Sequence, residues 1–168
     1  HDISHLIPYL NLPTKKDVVL RGEFMISKTN FANHFKDKSN ARNTISGLIN
    51  KLKIDTDKLN YVDFIIYECI YPVLKPSDQF KLIKTLSKLC VNYVSTTSIS
   101  NELLSNYLVR WRKEYSYDID GVIVSHDKIY PRKSKNPEHS FAFKMLLTDQ
   151  IAEAKVVDVE WNIQKDGY

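Results

Sequence analysis

Glycine is scarce: only Gly22, Gly47, Gly121 and Gly167 occur, and no two are close enough for a G-x-G-x-x-G turn or a P-loop. Rossmann and Walker-type phosphate binding are thereby excluded. Sulfur is scarcer still. Cys69 and Cys90 each sit in an apolar stretch outside any C-x-x-C pair, too few for a disulfide framework or a zinc knuckle. Two buried thiols in a reducing compartment is the simpler reading. His1, His5, His34, His126 and His139 show no metal-ligand spacing. No apolar run reaches the ~18 residues a bilayer span needs, and Phe64–Leu74 is interrupted by Glu68 and Pro72. The chain opens at His1 without a Met or a basic n-region, so no signal peptide is expected and an intracellular setting is.

What remains is the make-up of an ordinary folded domain, with 168 residues, 43% hydrophobic and 26% charged. A net charge of +4 mildly favours a polyanionic partner. The clusters Lys15-Lys16, Lys51/Lys53 and Arg132-Lys133/Lys135 suit phosphate contacts, or equally a solvated face.

Along the chain, residues 1–17 read as loop and turn. Val18 to Ile26 reads as a strand with Arg21 and Glu23 flanking Gly22, unusual because charge on a buried sheet is costly unless paired or used. Helical text covers Asn30–Lys36 and Asn40–Lys53, the latter with Ile45, Leu48, Ile49 and Leu52 at spacings of three and four. Val62–Tyr71 reads as a buried strand, Pro76-Ser77-Asp78 starts a helix, and Tyr93-Val94 is a short strand. Ser100 caps a second strong helix. Tyr117–Val124, Phe141–Leu146 and Lys155–Ile163 complete the strands. The mixed order, without a regular βαβ repeat, predicts an α+β domain with largely antiparallel sheets.

Three strands carry ionisable groups where core is expected: Glu23, the Asp118/Asp120 pair, and Lys144. Converging on one cleft from neighbouring strands, they would suit a nucleotide phosphate held by Lys and a divalent cation held by oxygens. Solvated charges on edge strands are the alternative.

In order, the segments Arg21-Gly22-Glu23-Phe24, Asn40-Ala41-Arg42-Asn43-Thr44-Ile45-Ser46-Gly47, Phe64-Ile65-Ile66-Tyr67, Tyr117-Asp118-Ile119-Asp120-Gly121-Val122-Ile123-Val124 and Phe141-Ala142-Phe143-Lys144 resemble the adenylation (nucleotidyltransferase) domain of NAD-dependent DNA ligases, of a virus-like, divergent kind. Each motif alone is weak; the ordered set is specific and covers nearly the whole chain. The resemblance implies an antiparallel-sheet nucleotidyltransferase domain of the DNA ligase and mRNA capping enzyme type over residues 1–150. Residues 151–168, with Val156 to Gly167, would then lead into the first strand of an OB domain. Such ligases attach AMP from NAD to a lysine, pass it to a 5′-phosphate at a nick in duplex DNA, and seal the nick, with Mg²⁺.

By the same resemblance, Glu23 would bind the ribose hydroxyls or help hold the metal, and Arg42 would contact sugar or phosphate. Tyr67 would stack on adenine through its π-face. Arg112 would assist the adenylate site, although read alone it is a helix-surface charge. Asp120 would bind Mg²⁺ or polarise the attacking group, Gly121 would let backbone approach the nucleotide, and Ile123 would pack on the base. Lys144 would neutralise the α-phosphate as nicotinamide mononucleotide leaves. The partner would be nicked duplex DNA, the parent a monomer, and the setting the cytoplasm, a viral factory or the nucleoid.

Three departures from the family pattern stand out. The nucleophilic Lys-x-Asp-Gly motif is absent, which predicts a piece of a larger protein that does not adenylate itself. Ser125 stands where the family strand carries a lysine, which would remove a charge-assisted phosphate contact. Asn50 stands where a further arginine is usual. Alternatives that keep the fold are an ATP-dependent DNA or RNA ligase, a capping-type guanylyltransferase, or a non-catalytic nucleic-acid-binding relic.

Overall fold

A computed structural model describes residues 4–9, 17–50, 55–145 and 155–159. Strand β1, Val19–Met25, alternates exposed and half-buried positions as far as Phe24, and Val19, Arg21 and Glu23 form its exposed side. It pairs antiparallel with β2, Asp63–Tyr71. The pairing needs Gly22: a Cβ there would lie 2.5 Å from the Ile65 carbonyl oxygen and 2.7 Å from the Phe64 ring. Gly22→Ala is therefore expected to cost about 1–3 kcal/mol as an overpacking defect, read as a lower denaturant midpoint.

The connection from β1 to β2 holds α1 (Lys28–His34), α2 (Ala41–Ile49) and α3 (Thr56–Leu59). Each starts on a side chain that accepts an orphan backbone N–H: Ser27 from Asn30 at 3.2 Å, Asn40 from Asn43 at 2.8 Å, Asp55 from Lys58 at 3.2 Å. Phe35, just after α1, with Ile45 and Leu48 of α2 and Leu59 of α3, gathers with Ile26 and Val62 into one core cluster. Leu6 joins it from a 3₁₀ helix, Ser4–Tyr9, within the stretch the sequence marks as loop; burying Leu6 gives that turn its tertiary reason.

Helix α4, Pro76–Leu86, covers β2 through Ile83 against Ile66 and Cys69. Helix α5, Asn101–Glu114, is capped by Ser100 at 3.1 Å and buries Leu104 and Leu108 against Val122. The strands above it are β3, Gly121–Ser125, and β4, Ser140–Lys144, paired antiparallel.

The α+β class with antiparallel pairing is thus as expected, but the strands form two separate two-stranded sheets, β1–β2 and β3–β4. Glu23 and Lys144 therefore do not project from neighbouring strands, and Asp118 and Asp120 precede β3 rather than lie in it. Tyr93-Val94 is no strand. A single parallel bridge, Ile66 with Cys90, takes that place, after which Tyr93 stacks on Phe80 at 4.8 Å beneath the Lys84 ammonium. Residues 155–159 are likewise not a strand, having no pairing partner among the described residues; the rest of the expected Lys155–Ile163 strand, and residues 51–54 and Leu146, lie outside them. No helix among the described residues is long and apolar enough to cross a membrane.

Lys28 joins the two halves. Its backbone N–H donates to the Ser116 carbonyl at 2.8 Å, and its ammonium donates to the carbonyls of Arg112 and Tyr115 at 2.7 and 2.9 Å, closing the C-terminus of α5. Beside it the Tyr117 hydroxyl donates to Asp63 at 2.7 Å, and burial, then Asp63, pushes that phenol's pKa up. A second latch starts from Asp127, after β3. The first helical residue of α4 is Pro76 and its cap residue Lys75 offers no acceptor, yet Asp127 accepts from the Ser77 N–H and hydroxyl, both at 2.8 Å, and from the Lys75 ammonium at 3.1 Å.

Those bonds, the two from Ser77 first, hold the Asp127 carboxyl below its ordinary pKa. A depressed folded-state pKa means stability that is present above the unfolded value of about 4 and is lost as pH falls through the folded one. Asp127→Asn is accordingly expected to melt lower than wild type at neutral pH, with the difference shrinking as the pH is taken below about 4. Thermal melts across that range check it.

Candidate nucleotide site

The first group of candidate residues lies on the β1–β2 side. Gly22 and Phe24 turn towards Phe64, whose ring sits 5.2 Å from that of Phe24, which leaves Glu23 on the opposite, open face. There its carboxylate meets the Arg42 guanidinium at 3.6 Å, with 56% and 79% of the respective side chains exposed. Arg42 owes its place to the Asn40 cap, which starts α2 one residue earlier. An ion pair this exposed contributes little stability. Both groups remain open to solvent.

Tyr67 arrives by a different device. Arg21 pairs with Glu68 but Gly22 pairs with Ile66, so Tyr67 is an extra residue in β2. Such bulges re-aim a side chain. The Tyr67 ring is 40% exposed and stacks on no aromatic ring among the described residues. Glu68, next to it, holds Arg21 at 3.2 Å and accepts a hydrogen bond from Arg132.

The second group lies on β3–β4. Gly121 is opposite Lys144 and Ile123 opposite Ala142, so these four share one face. The other face, with Val122, Val124 and Phe143, packs on α5. Ile123, a large apolar side chain, is 72% exposed, and Lys144 is exposed as well. A Cβ at Gly121 would fall 2.5 Å from the Phe143 carbonyl oxygen and 2.9 Å from Lys144 Cγ, so this close approach admits only glycine. Ser125, opposite Ser140, belongs to the same face, which leaves Lys144 as the cation that β3 and β4 present there.

Arg112 is neither a free surface charge nor an open hand towards a ligand. Its Nε donates to the Ile119 carbonyl at 3.2 Å, and its Nη2 to those of Asp120 and Met145 at 3.1 and 3.2 Å. It pins the segment before β3 to the end of β4, fixing Asp120 beside Lys144 from behind. Its Nη1 is buried without a partner among the described residues.

The structure therefore brings Glu23 to Arg42, with Tyr67 on the paired strand, and gathers Gly121, Ile123 and Lys144 on β3–β4 with Asp120 just before β3 and Arg112 of α5 clamping that segment. Among the described residues no hydrogen bond or ion pair joins the two groups directly. A cavity of about 270 Å³ lies elsewhere, lined by Phe35, Asn40, Thr44 and Leu48. Nor do three His, Cys, Asp or Glu side chains converge on a metal position among the described residues. The Asp127 latch, the Lys28 bridge and the Arg112 clamp escape sequence reading, because each binds backbone or a partner remote in the chain and leaves no spacing signal.

A fold of two small antiparallel sheets with helices, carrying these motifs in this order, is compatible with a ligase-type adenylation domain. The profile of the NAD-dependent DNA ligase adenylation domain matches residues 2–146, and the chain belongs to that family. It is 33% identical over 175 residues to a DNA ligase of Acanthamoeba polyphaga mimivirus, covering 99% of this chain and 27% of that protein. It is 29% identical over 171 residues to a DNA ligase of Borrelia duttonii, covering 90% and 25%. To a DNA ligase of Treponema denticola it is 25% identical over 157 residues, covering 85% and 24%. The chain thus spans about a quarter of the length of these relatives.

Proposed function

We propose that this chain is the adenylate-handling part of an NAD-dependent DNA ligase that seals nicks in duplex DNA, as in repair and replication. The observation that supports it most is the open face of β3–β4, where Lys144, Gly121 and Ile123 stand together with Asp120 pinned at its edge. On this reading residues 1–150 are the nucleotidyltransferase portion and residues 151–168 lead into an OB domain. The setting is intracellular and the working protein monomeric.

Each residue then has a physical task. The exposed Tyr67 ring and the Ile123 side chain offer apolar surfaces to the adenine. Glu23 accepts from ribose hydroxyls while Arg42, its ion-pair partner, faces sugar or phosphate. Lys144 places a positive charge where the α-phosphate gains negative charge as the nicotinamide mononucleotide leaves. Arg112 keeps Asp120 in register through its backbone carbonyl. Glu23 faces Arg42 and Asp120 stands apart on the other sheet, so the two do not make a cage by themselves. Asp120 would supply a carboxylate to Mg²⁺, with phosphate oxygens and water completing the shell, the usual manner for that ion. Bound there, Mg²⁺ supplies charge neutralisation at the phosphates.

The test incubates the complete protein carrying this chain with NAD, ATP or GTP, each labelled in the transferred nucleotide, and Mg²⁺. Covalent AMP from NAD is expected. Faster labelling from ATP would favour the ATP-dependent alternative, and no label from any of the three would defeat the reading.

A further inference from the structure

The segment joining β3 to β4 is longer than a tight hairpin and carries Lys128, Arg132, Lys133 and Lys135 against Asp127 and Glu138. It is nevertheless shaped. At its base the His126 N–H donates to the His139 carbonyl at 3.0 Å, the Tyr130 hydroxyl and His126 Nδ1 are hydrogen bonded at 2.5 Å, and the Tyr130 and His139 rings stack at 3.9 Å and 9°. Two anchors tie it to the other half of the molecule. Asp127 holds the start of α4, and Arg132 donates to Glu68, the residue after Tyr67 on β2.

These ties sort the charges. Asp127 is neutralised by Lys75, and Arg132 is occupied by Glu68. Lys128, Lys133 and Lys135 are exposed and form no ion pair among the described residues. The segment thus links the β3–β4 group to Glu68, the residue after Tyr67, and carries three exposed ammonium groups with no ion-pair partner among the described residues. Long shaped loops on a rigid scaffold are where binding functions concentrate, and neutralising duplex phosphates releases condensed counterions.

We propose that residues 126–139 form a preformed basic arm that contacts the sugar–phosphate backbone of the duplex flanking the nick, through Lys128, Lys133 and Lys135. This rests on the reading of the protein as a DNA ligase and adds a DNA-contact surface to it. Point charges on phosphates carry no sequence information, so the arm strengthens binding evenly across sequences.

The experiment measures the affinity of the complete protein for a fluorescein-labelled nicked duplex as a function of KCl, for wild type and for the triple variant Lys128→Gln, Lys133→Gln, Lys135→Gln. Self-labelling by NAD and the melting temperature are followed alongside. The expected result is a plot of log affinity against log salt that is shallower by about 0.9 for each lost contact, with AMP transfer to the protein and melting unchanged. A triple variant with the wild-type slope, still labelled by NAD, overturns the arm and leaves the ligase reading intact. A wild-type protein that takes no AMP defeats the ligase reading, and the salt slope then judges the arm by itself.

Discussion

Replacing Lys144 by Ala in the complete protein is expected to slow nick sealing about 10²–10³-fold with the melting temperature nearly unchanged. Position 144 is exposed, so little packing is lost. The chemistry is expected to lose more, because the same face has Ser125 opposite Ser140 and no second lysine. No neighbouring cation on β3 or β4 is there to substitute. Lys144→Arg keeps the charge but not the compact ammonium, and is expected to recover part of the rate. Step-resolved ligation assays, with melting curves on the same preparations, check both variants. An unaffected sealing rate in Lys144→Ala would remove this residue from the site.

The other large effect is on stability. Leu108 has no exposed surface and lies at the centre of the cluster with Leu104 and Val122. Leu108→Ala deletes most of that side chain and leaves a cavity under β3, costing about 2–5 kcal/mol. At ~2–4 °C for each kcal/mol in a domain of this size, the melting transition falls by on the order of 4–20 °C. Because α5 supports the strands that present Gly121, Ile123 and Lys144, activity is expected to fail at a lower temperature than in wild type. Thermal unfolding followed by circular dichroism gives the first number, and sealing rates against temperature give the second.

Local physics made part of this fold readable. Ser100 before an amphipathic run, Asn40 before Ile45 and Leu48, and the β-branched text of Val62–Tyr71 each announce an element through nearby residues, and each element is present. Tyr93-Val94 misled for the opposite reason. Its composition suits a strand, but a strand also needs a partner, and here a single bridge and a stacked Phe80 take its place. Leu6 was hidden in loop-like text because its burial is decided by Phe35 and Ile26, far along the chain.

The site divides in the same way. Gly121 stands out in the sequence only through the resemblance, as a place for backbone to approach a nucleotide, whereas the close approach that the structure shows there is by Phe143 and Lys144 of β4. Glu23 and Lys144 are legible as charges set in strands. That they belong to different sheets was not legible, since pairing order is a tertiary property. Nor could spacing show that Arg112 is occupied by backbone carbonyls or that Tyr67 sits at a bulge.

The central claim is that both groups of residues serve one nucleotide, and a structure of the complete protein carrying covalent AMP tests it most directly. The account predicts the adenine between the Tyr67 ring and Ile123, the ribose at Glu23, and the Lys144 ammonium within hydrogen-bond reach of the α-phosphate. An adenylate held elsewhere, with Tyr67 and Lys144 facing separate regions of solvent, would contradict it.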